Sequence, residues 1–193
     1  MIKKIVAILA LITLAACEQA PGSYQPEPFS FEHATPMRVN VAQIKVIEAY
    51  KSALRRPNVE QDFPVPPAVA VNKWVAQRLI ASGSTGVMEI TIDDASVKEV
   101  PLSKTKGVTG LFTDDQDARY DARIHVTMRV YDGVNAISAA SGDIEVTRAR
   151  SINEKATVDE RQRIFHKMTR DMMDSFDQQA QARLRSYFSK FLN

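Results

Sequence analysis

Hydrophobic and polar positions change period several times along the chain, and each change marks an element. Val39, Val41, Ile44, Val46 and Ile47 sit among polar residues between Met37 and Tyr50. Their alternation slips at Ala42-Gln43, which predicts one strand with a bulge. Arg55-Arg56-Pro57-Asn58 and Phe63-Pro64-Val65-Pro66-Pro67 make residues 52–67 a loop. Pro66 and Pro67 suit the first turn of a helix, where the missing N–H is not needed. Val71, Trp74, Val75, Arg78 and Leu79 then recur at three- and four-residue spacing, an amphipathic stripe that should bury Trp74. This helix is expected to run to Ser82, with Gly83 as its C-cap. Gly86 opens a strand through Ile92, Asp93-Asp94-Ala95-Ser96 interrupts it, and residues 97–102 continue it after a bulge. Residues 103–117 read as a loop. Tyr120, Ala122, Ile124, Val126, Met128 and Val130 alternate without a break with Asp121, Arg123, His125, Thr127 and Arg129, a strand with one wet face. Asp132-Gly133 marks a hairpin, and residues 136–150 return as a strand with Gly142 a bulge position. Thr157-Val158-Asp159-Glu160 matches a capping box. From there to Leu192 no Gly or Pro occurs, and Phe165, Met168, Met172, Phe176, Ala180, Leu184, Tyr187 and Phe191 trace one long amphipathic helix.

The order is thus β-α-β-β-β-α. It predicts an α+β fold: a largely antiparallel four-stranded sheet with two helices on one face and a long C-terminal helix.

The N-terminus follows a different pattern. Lys3 and Lys4 precede an apolar run of ten residues, Ile5 to Leu14. A spanning helix needs about 20 apolar residues, so this run reads as a secretory signal peptide. Its end, Leu14-Ala15-Ala16-Cys17, resembles the lipobox of bacterial lipoproteins. The resemblance implies cleavage between Ala16 and Cys17 and a diacylglyceryl group on the Cys17 sulfur. A plain signal peptide with a chance cysteine is the competing reading; the only cysteine standing at the one required position favours the lipobox. At about 0.8 kcal/mol per buried CH₂, two or three acyl chains hold a protein on a membrane almost permanently. Glu18 follows the cysteine where Asp is the familiar inner-membrane retention signal, so the resemblance implies the inner leaflet of the outer membrane, facing the periplasm. Three segments follow: residues 1–16 as signal peptide, 17–35 as lipidated cysteine and tether, 36–193 as one domain. Pro21, Gly22, Pro26 and Pro28 make the tether semi-extended, and residues 18–35 could reach roughly 50 Å at about 3.1 Å per residue.

Composition narrows the function classes. The 193 residues are 45% hydrophobic and 25% charged with 7 Gly, which is ordinary globular usage. One cysteine excludes an internal disulfide and a Cys-cluster zinc site. Removing Lys3 and Lys4 leaves 23 basic against 23 acidic residues, a balance that argues against nucleic-acid binding.

Candidate chemistry is sparse. His125 lies on the wet face of its strand beside Asp121 and Arg123, but no GxSxG nucleophile accompanies it, so it reads as a solvated histidine. His33 falls in the tether and His166 on the long helix as a surface residue. No His pair has HExxH spacing, and Asp114-Asp115-Gln116-Asp117 lacks the Gly and Glu of a calcium loop, so no metal or cofactor is expected. Asp93-Asp94 are neighbours along a strand and should point to opposite faces. Residues 82–86, Ser-Gly-Ser-Thr-Gly, lack the ending of a phosphate loop. Arg123, Arg129, Arg148 and Arg150 on neighbouring strands form a candidate anion contact for lipid or lipopolysaccharide phosphates, against cross-strand ion pairing as the plain alternative. Beyond Arg183, Leu184, Tyr187, Phe188, Phe191 and Leu192 form a terminal apolar cluster, a candidate contact for a partner or lipid; docking on the domain's own edge is the alternative.

With these residues in place a resemblance can be stated. Val39-Asn40-Val41-Ala42, the loop carrying Tyr50, Arg56 and Pro57, and the helix carrying Trp74 resemble the opening of the auxiliary lipoproteins of lipid-transport ABC systems. The whole layout, lipobox, tether and β-α-β-β-β-α, resembles that family and the lipopolysaccharide-assembly lipoprotein, although Glu18-Gln19 replaces the latter's Gly-aromatic start. The resemblance implies a non-enzymatic accessory of envelope lipid or lipopolysaccharide transport or assembly. Its partners would be the membrane, an envelope protein complex, and lipid or lipopolysaccharide. The other reading is a structural or scaffolding lipoprotein of another envelope complex with no lipid ligand.

Overall fold

The unbroken alternation forms the central strand. The computed structural model describes residues 24–102, 116–132, 138–153 and 155–192. Along it follow β1 (Met37–Val39), β2 (Gln43–Glu48), α1 (Pro67–Arg78), β3 (Leu79–Ala81), β4 (Val87–Asp94), β5 (Val97–Pro101), β6 (Gln116–Tyr131), β7 (Ala140–Asn153) and α2 (Val158–Tyr187). Short 3-10 turns occur at Glu60–Asp62 and Ser189–Phe191. One face of β6 buries Tyr120, Ile124, Val126, Met128 and Val130. β7 runs antiparallel along one edge of β6. β4 and β5 lie end to end along the other, opposite residues 125–131 and 118–122, with the register breaking between Ile92 and Asp94. That break is the bulge expected at Asp93–Ser96.

β2 pairs with β4 in parallel, which makes a mixed five-stranded sheet, β2-β4-β6-β5 with β7 on β6. The expected four-stranded antiparallel sheet is corrected here. The chain leaves β2 through α1 and re-enters in the same direction, and a crossover of that kind produces parallel neighbours.

The slip at Ala42-Gln43 is also more than a bulge. β1 and β3 pair in parallel as a two-stranded sheet of their own, and β2 belongs to the main sheet. Between them the Gly83 N–H donates to the Val41 carbonyl at 3.0 Å. A Cβ on Gly83 would stand 2.5 Å from Asn40 Oδ1 and 2.7 Å from the Val41 nitrogen. Gly83 therefore allows two backbones to approach and is not a helix cap. α1 ends at Arg78, four residues before the expected stop, and Leu79–Ala81 pairs with β1 instead.

Both helices cover the apolar face of the sheet. Val71, Trp74 and Val75 of α1 are buried with Phe165, Met168, Met172, Met173, Phe176, Ala180 and Leu184 of α2. The Trp74 ring meets Phe176 edge-on at 5.1 Å. The Thr157–Glu160 capping box is formed from both sides: Glu160 N–H donates to Thr157 Oγ1 at 3.2 Å, and Thr157 N–H to Glu160 Oε2 at 2.7 Å. α2 spans 30 residues, about 45 Å. It also guards the outer edge of β7, whose Glu145 and Asp143 carbonyls accept from Gln179 Nε2 and Arg183 Nε at 3.2 and 3.1 Å. After Tyr187 the chain folds back. Leu192 bridges Val39 in antiparallel fashion, and Asn40 N–H donates to the Phe191 carbonyl at 2.7 Å, closing the outer edge of β1.

Candidate functional site

Ala16 and Cys17, the cleavage and lipidation positions, lie outside the described residues, as do Asp114 and Asp115; Gln116 and Asp117 open β6 and do not belong to a loop. The stretch that follows Cys17 is described from Tyr24, and it is not a free tether there. Residues 24–35 run alongside α2 in the same direction, as a strap. Thr35 offers its carbonyl to Arg78 Nη1, Phe31 N–H donates to Gln77 Oε1 at 2.8 Å, Glu27 pairs with Arg170 at 3.4 Å, and the Tyr24 hydroxyl meets His166 Nδ1 at 2.8 Å. Phe29 and Phe31 are only 7% and 6% exposed. An extended backbone turns residues two apart to the same side, so both rings face the helices. They contact each other edge-on at 5.4 Å, and Arg170 lies over Phe29 at 5.9 Å. The Phe-x-Phe pair inside a proline-rich stretch is the signal that compositional reading passes over.

His166 is thereby buried, 5% exposed, and not on the surface as expected. The Phe29 ring meets it at 6.1 Å. Burial, then the Arg170 charge, push its pKa below the ordinary histidine value, while Glu27 acts in the opposite sense.

A second polar site ties the two helices together. Asp177 Oδ1 accepts from Trp74 Nε1 at 2.7 Å and from Arg78 Nε at 2.9 Å, and Oδ2 accepts from Gln181 Nε2 at 2.7 Å. Arg78 is 3% exposed. Burial raises the Asp177 pKa, but the hydrogen bonds from Arg78 and Trp74 and the Arg78 charge outweigh it, and the carboxyl is held below its ordinary value.

A third knot fixes the proline-rich loop. Glu60 is buried, and its carboxylate accepts from the Tyr50 hydroxyl at 2.6 Å and from Val97 N–H at 3.2 Å. Burial raises the Glu60 pKa, yet the hydrogen bonds from Ser52, Tyr50 and the backbone lower it further, so the net shift is downward. Burial and the adjoining carboxylate push the Tyr50 hydroxyl well up. These bonds position the loop and leave Glu60 saturated.

The four arginines do not form one patch. Arg123 and Arg129 lie on the wet face. Pairing of Ala122 with Arg148 and of Tyr120 with Arg150 puts the other two on the helical side. There Arg148 donates to Ser175 Oγ and Arg150 lies 4.0 Å from Asp171. Arg123 forks onto Glu145 at 3.0 and 3.2 Å and reaches Asp94 at 3.1 Å. These bonds hold Glu145 below the usual carboxylate range. Asp93 accepts from Thr127 at 2.6 Å, so the bulge brings both aspartates to the wet face, against the expectation of opposite faces. His125 stands on the same face, 3.9 Å from Asp93. Among the described residues no group of three His, Cys, Asp or Glu could hold a metal ion.

The terminal cluster is mostly interior. Leu184 and Phe188 are fully buried, Phe191 and Leu192 are half-buried against β1, and Tyr187 alone of the five is largely exposed, at 56%. At Leu192 opens a cleft of about 540 Å³ where the strap enters β1, lined by Pro36, Met37, Arg38, Gln181, Arg185 and Leu192 among others. Of its lining residues Arg38 and Arg185 are exposed, and the apolar Met37 and Leu192 are half-buried. No described helix is long and apolar enough to cross a membrane.

No protein-family model matches the chain, and no curated protein does. Among solved structures it is similar to a protein of Xanthomonas campestris from a family of unknown function, at 15% identity over 82% of this chain and 95% of that one, with a TM-score of 0.33. It is also similar to the rare lipoprotein B from Shewanella oneidensis, at 12% identity over 72% of this chain and 96% of that one, with a TM-score of 0.29.

Proposed function

We propose that this protein is a non-enzymatic envelope lipoprotein, held on the outer membrane by lipid on Cys17 and serving as an accessory or binding component in lipid or lipopolysaccharide transport or assembly. One observation carries the reading: the only cysteine ends Leu14-Ala15-Ala16-Cys17, directly behind a ten-residue apolar run. The strap adds a consequence. With Tyr24 held on α2, only residues 18–23 separate the lipid from the domain, about 20 Å at 3.1 Å per residue. The domain then works close to the membrane surface.

The space between sheet and helices is filled by Trp74, Met172, Met173, Phe176 and Phe188, each fully buried. A lipid ligand therefore binds on the surface. The cleft lined by Arg38 and Arg185 has the matching chemistry, two guanidinium groups for a phosphate, and Met37 and Leu192 for an acyl segment. This cleft favours lipid handling over the scaffolding reading, and it replaces the Arg123 cluster, whose leading arginine is already neutralised by two carboxylates.

Purification from native membranes in mild detergent, followed by mass spectrometry of bound lipid and protein, tests the reading. Phospholipid or lipopolysaccharide that accompanies the wild type and is lost from the Arg38→Ala/Arg185→Ala variant supports it. An envelope complex recovered without lipid from both supports scaffolding instead.

A further inference from the structure

We infer that the strap is a proton-released latch: charging His166 frees residues 24–31 from α2 and lengthens the reach between membrane and domain. The length change rests on the lipid-anchor reading; the release itself does not.

The latch is held by a few separable contacts. Tyr24 meets His166, Phe29 packs on the same ring, Glu27 pairs with Arg170, and Phe31 N–H reaches Gln77. His166 lies at the centre of these contacts, and its Nε2 is buried with no hydrogen-bond partner among the described residues. In the neutral ring one nitrogen is satisfied by the Tyr24 hydroxyl and the other goes unmatched. A charged ring carries two N–H donors. Tyr24 can accept from one of them, and the second would be a buried, charged donor without an acceptor, the costlier state.

The surrounding charge acts in the same direction. On α2, Arg170 repels a charged ring, and Arg163 stands over Tyr24 at 5.7 Å. Lys167 is turned to Asp171 at 2.9 Å. On the strap, among the described residues, Glu27 is the group that favours the charge, and it is shared with Arg170; His33 and Glu32 are exposed. The loop before α1 meets α2 through the backbone carbonyls of Asp62, at Gln162, and Val65, at Thr169.

Docking therefore lowers the proton affinity of His166, and by linkage protonation weakens docking. A released His166 returns to the ordinary value of about 6.5. Docking is complete above that pH. As pH falls below it the docked fraction weakens, by up to about tenfold per pH unit, until the docked ring itself is protonated. Release changes the free tether from residues 18–23 to residues 18–31, from about 20 to about 45 Å at 3.1 Å per residue.

Hydrogen–deuterium exchange on the full mature chain in detergent tests this, read for residues 24–31 at pH 7.5 and 5.5 and corrected for intrinsic rates. Wild-type protection is expected to fall by up to about tenfold between the two, whereas His166→Gln, which keeps a neutral partner for Tyr24, should show no pH dependence. Unchanged wild-type protection, or an equal fall in His166→Gln, overturns the proposal. If that variant proves unfolded by its melting curve, NMR titration of the wild-type His166 ring decides. A midpoint below 6.5 upholds the latch, and one at or above it overturns it.

Discussion

Asp177→Ala is the most informative stability change. It removes the acceptor of the 2.7 Å bond from Trp74 and of the 2.9 Å bond from Arg78. What remains is a guanidinium 3% exposed, bonded among the described residues only to the Thr35 carbonyl, beside a buried indole N–H. Breaking a buried pair by removing one partner costs about 3–5 kcal/mol, mostly because a charge is left behind uncompensated. For a domain of this size about 1 kcal/mol moves the melting temperature by about 2–4 °C, so the expected fall is about 6–20 °C. Circular-dichroism melts and urea titrations at pH 7 measure it. Arg78→Met combined with Asp177→Leu should recover much of the loss, since an apolar pair leaves no stranded charge. A loss under about 1 kcal/mol for Asp177→Ala would refute the claim that this carboxylate locks the helices together. The pH dependence has a fixed sign. Asp177 titrates below its ordinary value near 3.8 in the folded chain. Its stabilisation is therefore fully present above that pH and is lost as pH falls through the folded value.

Trp74→Ala should cost about 3–5 kcal/mol, and the native emission of this single tryptophan should be blue-shifted, because its ring is fully buried; a native spectrum already at the solvent-exposed position would contradict the packing. Truncation after Arg183 removes Leu184, Phe188 and the Leu192 bridge to Val39, so a large drop in melting temperature is expected. Unchanged melting would return that cluster to the role of a partner surface. Gly83→Ala sets a Cβ against the backbone of Asn40 and Val41 and should destabilise by about 1–3 kcal/mol in urea titration; a neutral or stabilising result would contradict the close approach of the two backbones.

Local periods made half of this fold readable. β6, the stripe of α1 and the capping box of α2 are set by neighbours within a few positions, and each stands where its pattern predicts. Features decided by distant partners were not readable. α1 stops at Arg78 because Leu79–Ala81 finds β1, and no residue near Arg78 signals a stop. Arg148 and Arg150 fall on the helical side because of the register between β6 and β7, which lies across a hairpin and shifts faces with every single-residue slip. Nothing near Asp177 in sequence marks it as a site, and His166 reads as a surface position on a long helix. Their partners, Trp74 with Arg78 and Tyr24 with Phe29, lie roughly a hundred or more positions away. The proline-rich strap misled for a related reason: its two phenylalanines are too few to form a period, yet two suffice to dock an extended chain.

The anchor on Cys17 is the claim on which the functional account stands, and detergent-phase partitioning of the expressed full chain measures it directly. The account predicts that wild type enters the detergent phase with the added mass of a diacylglyceryl group. Cys17→Ser should remain in the aqueous phase without that mass. A Cys17→Ser protein found wholly in the membrane fraction and the detergent phase would contradict it.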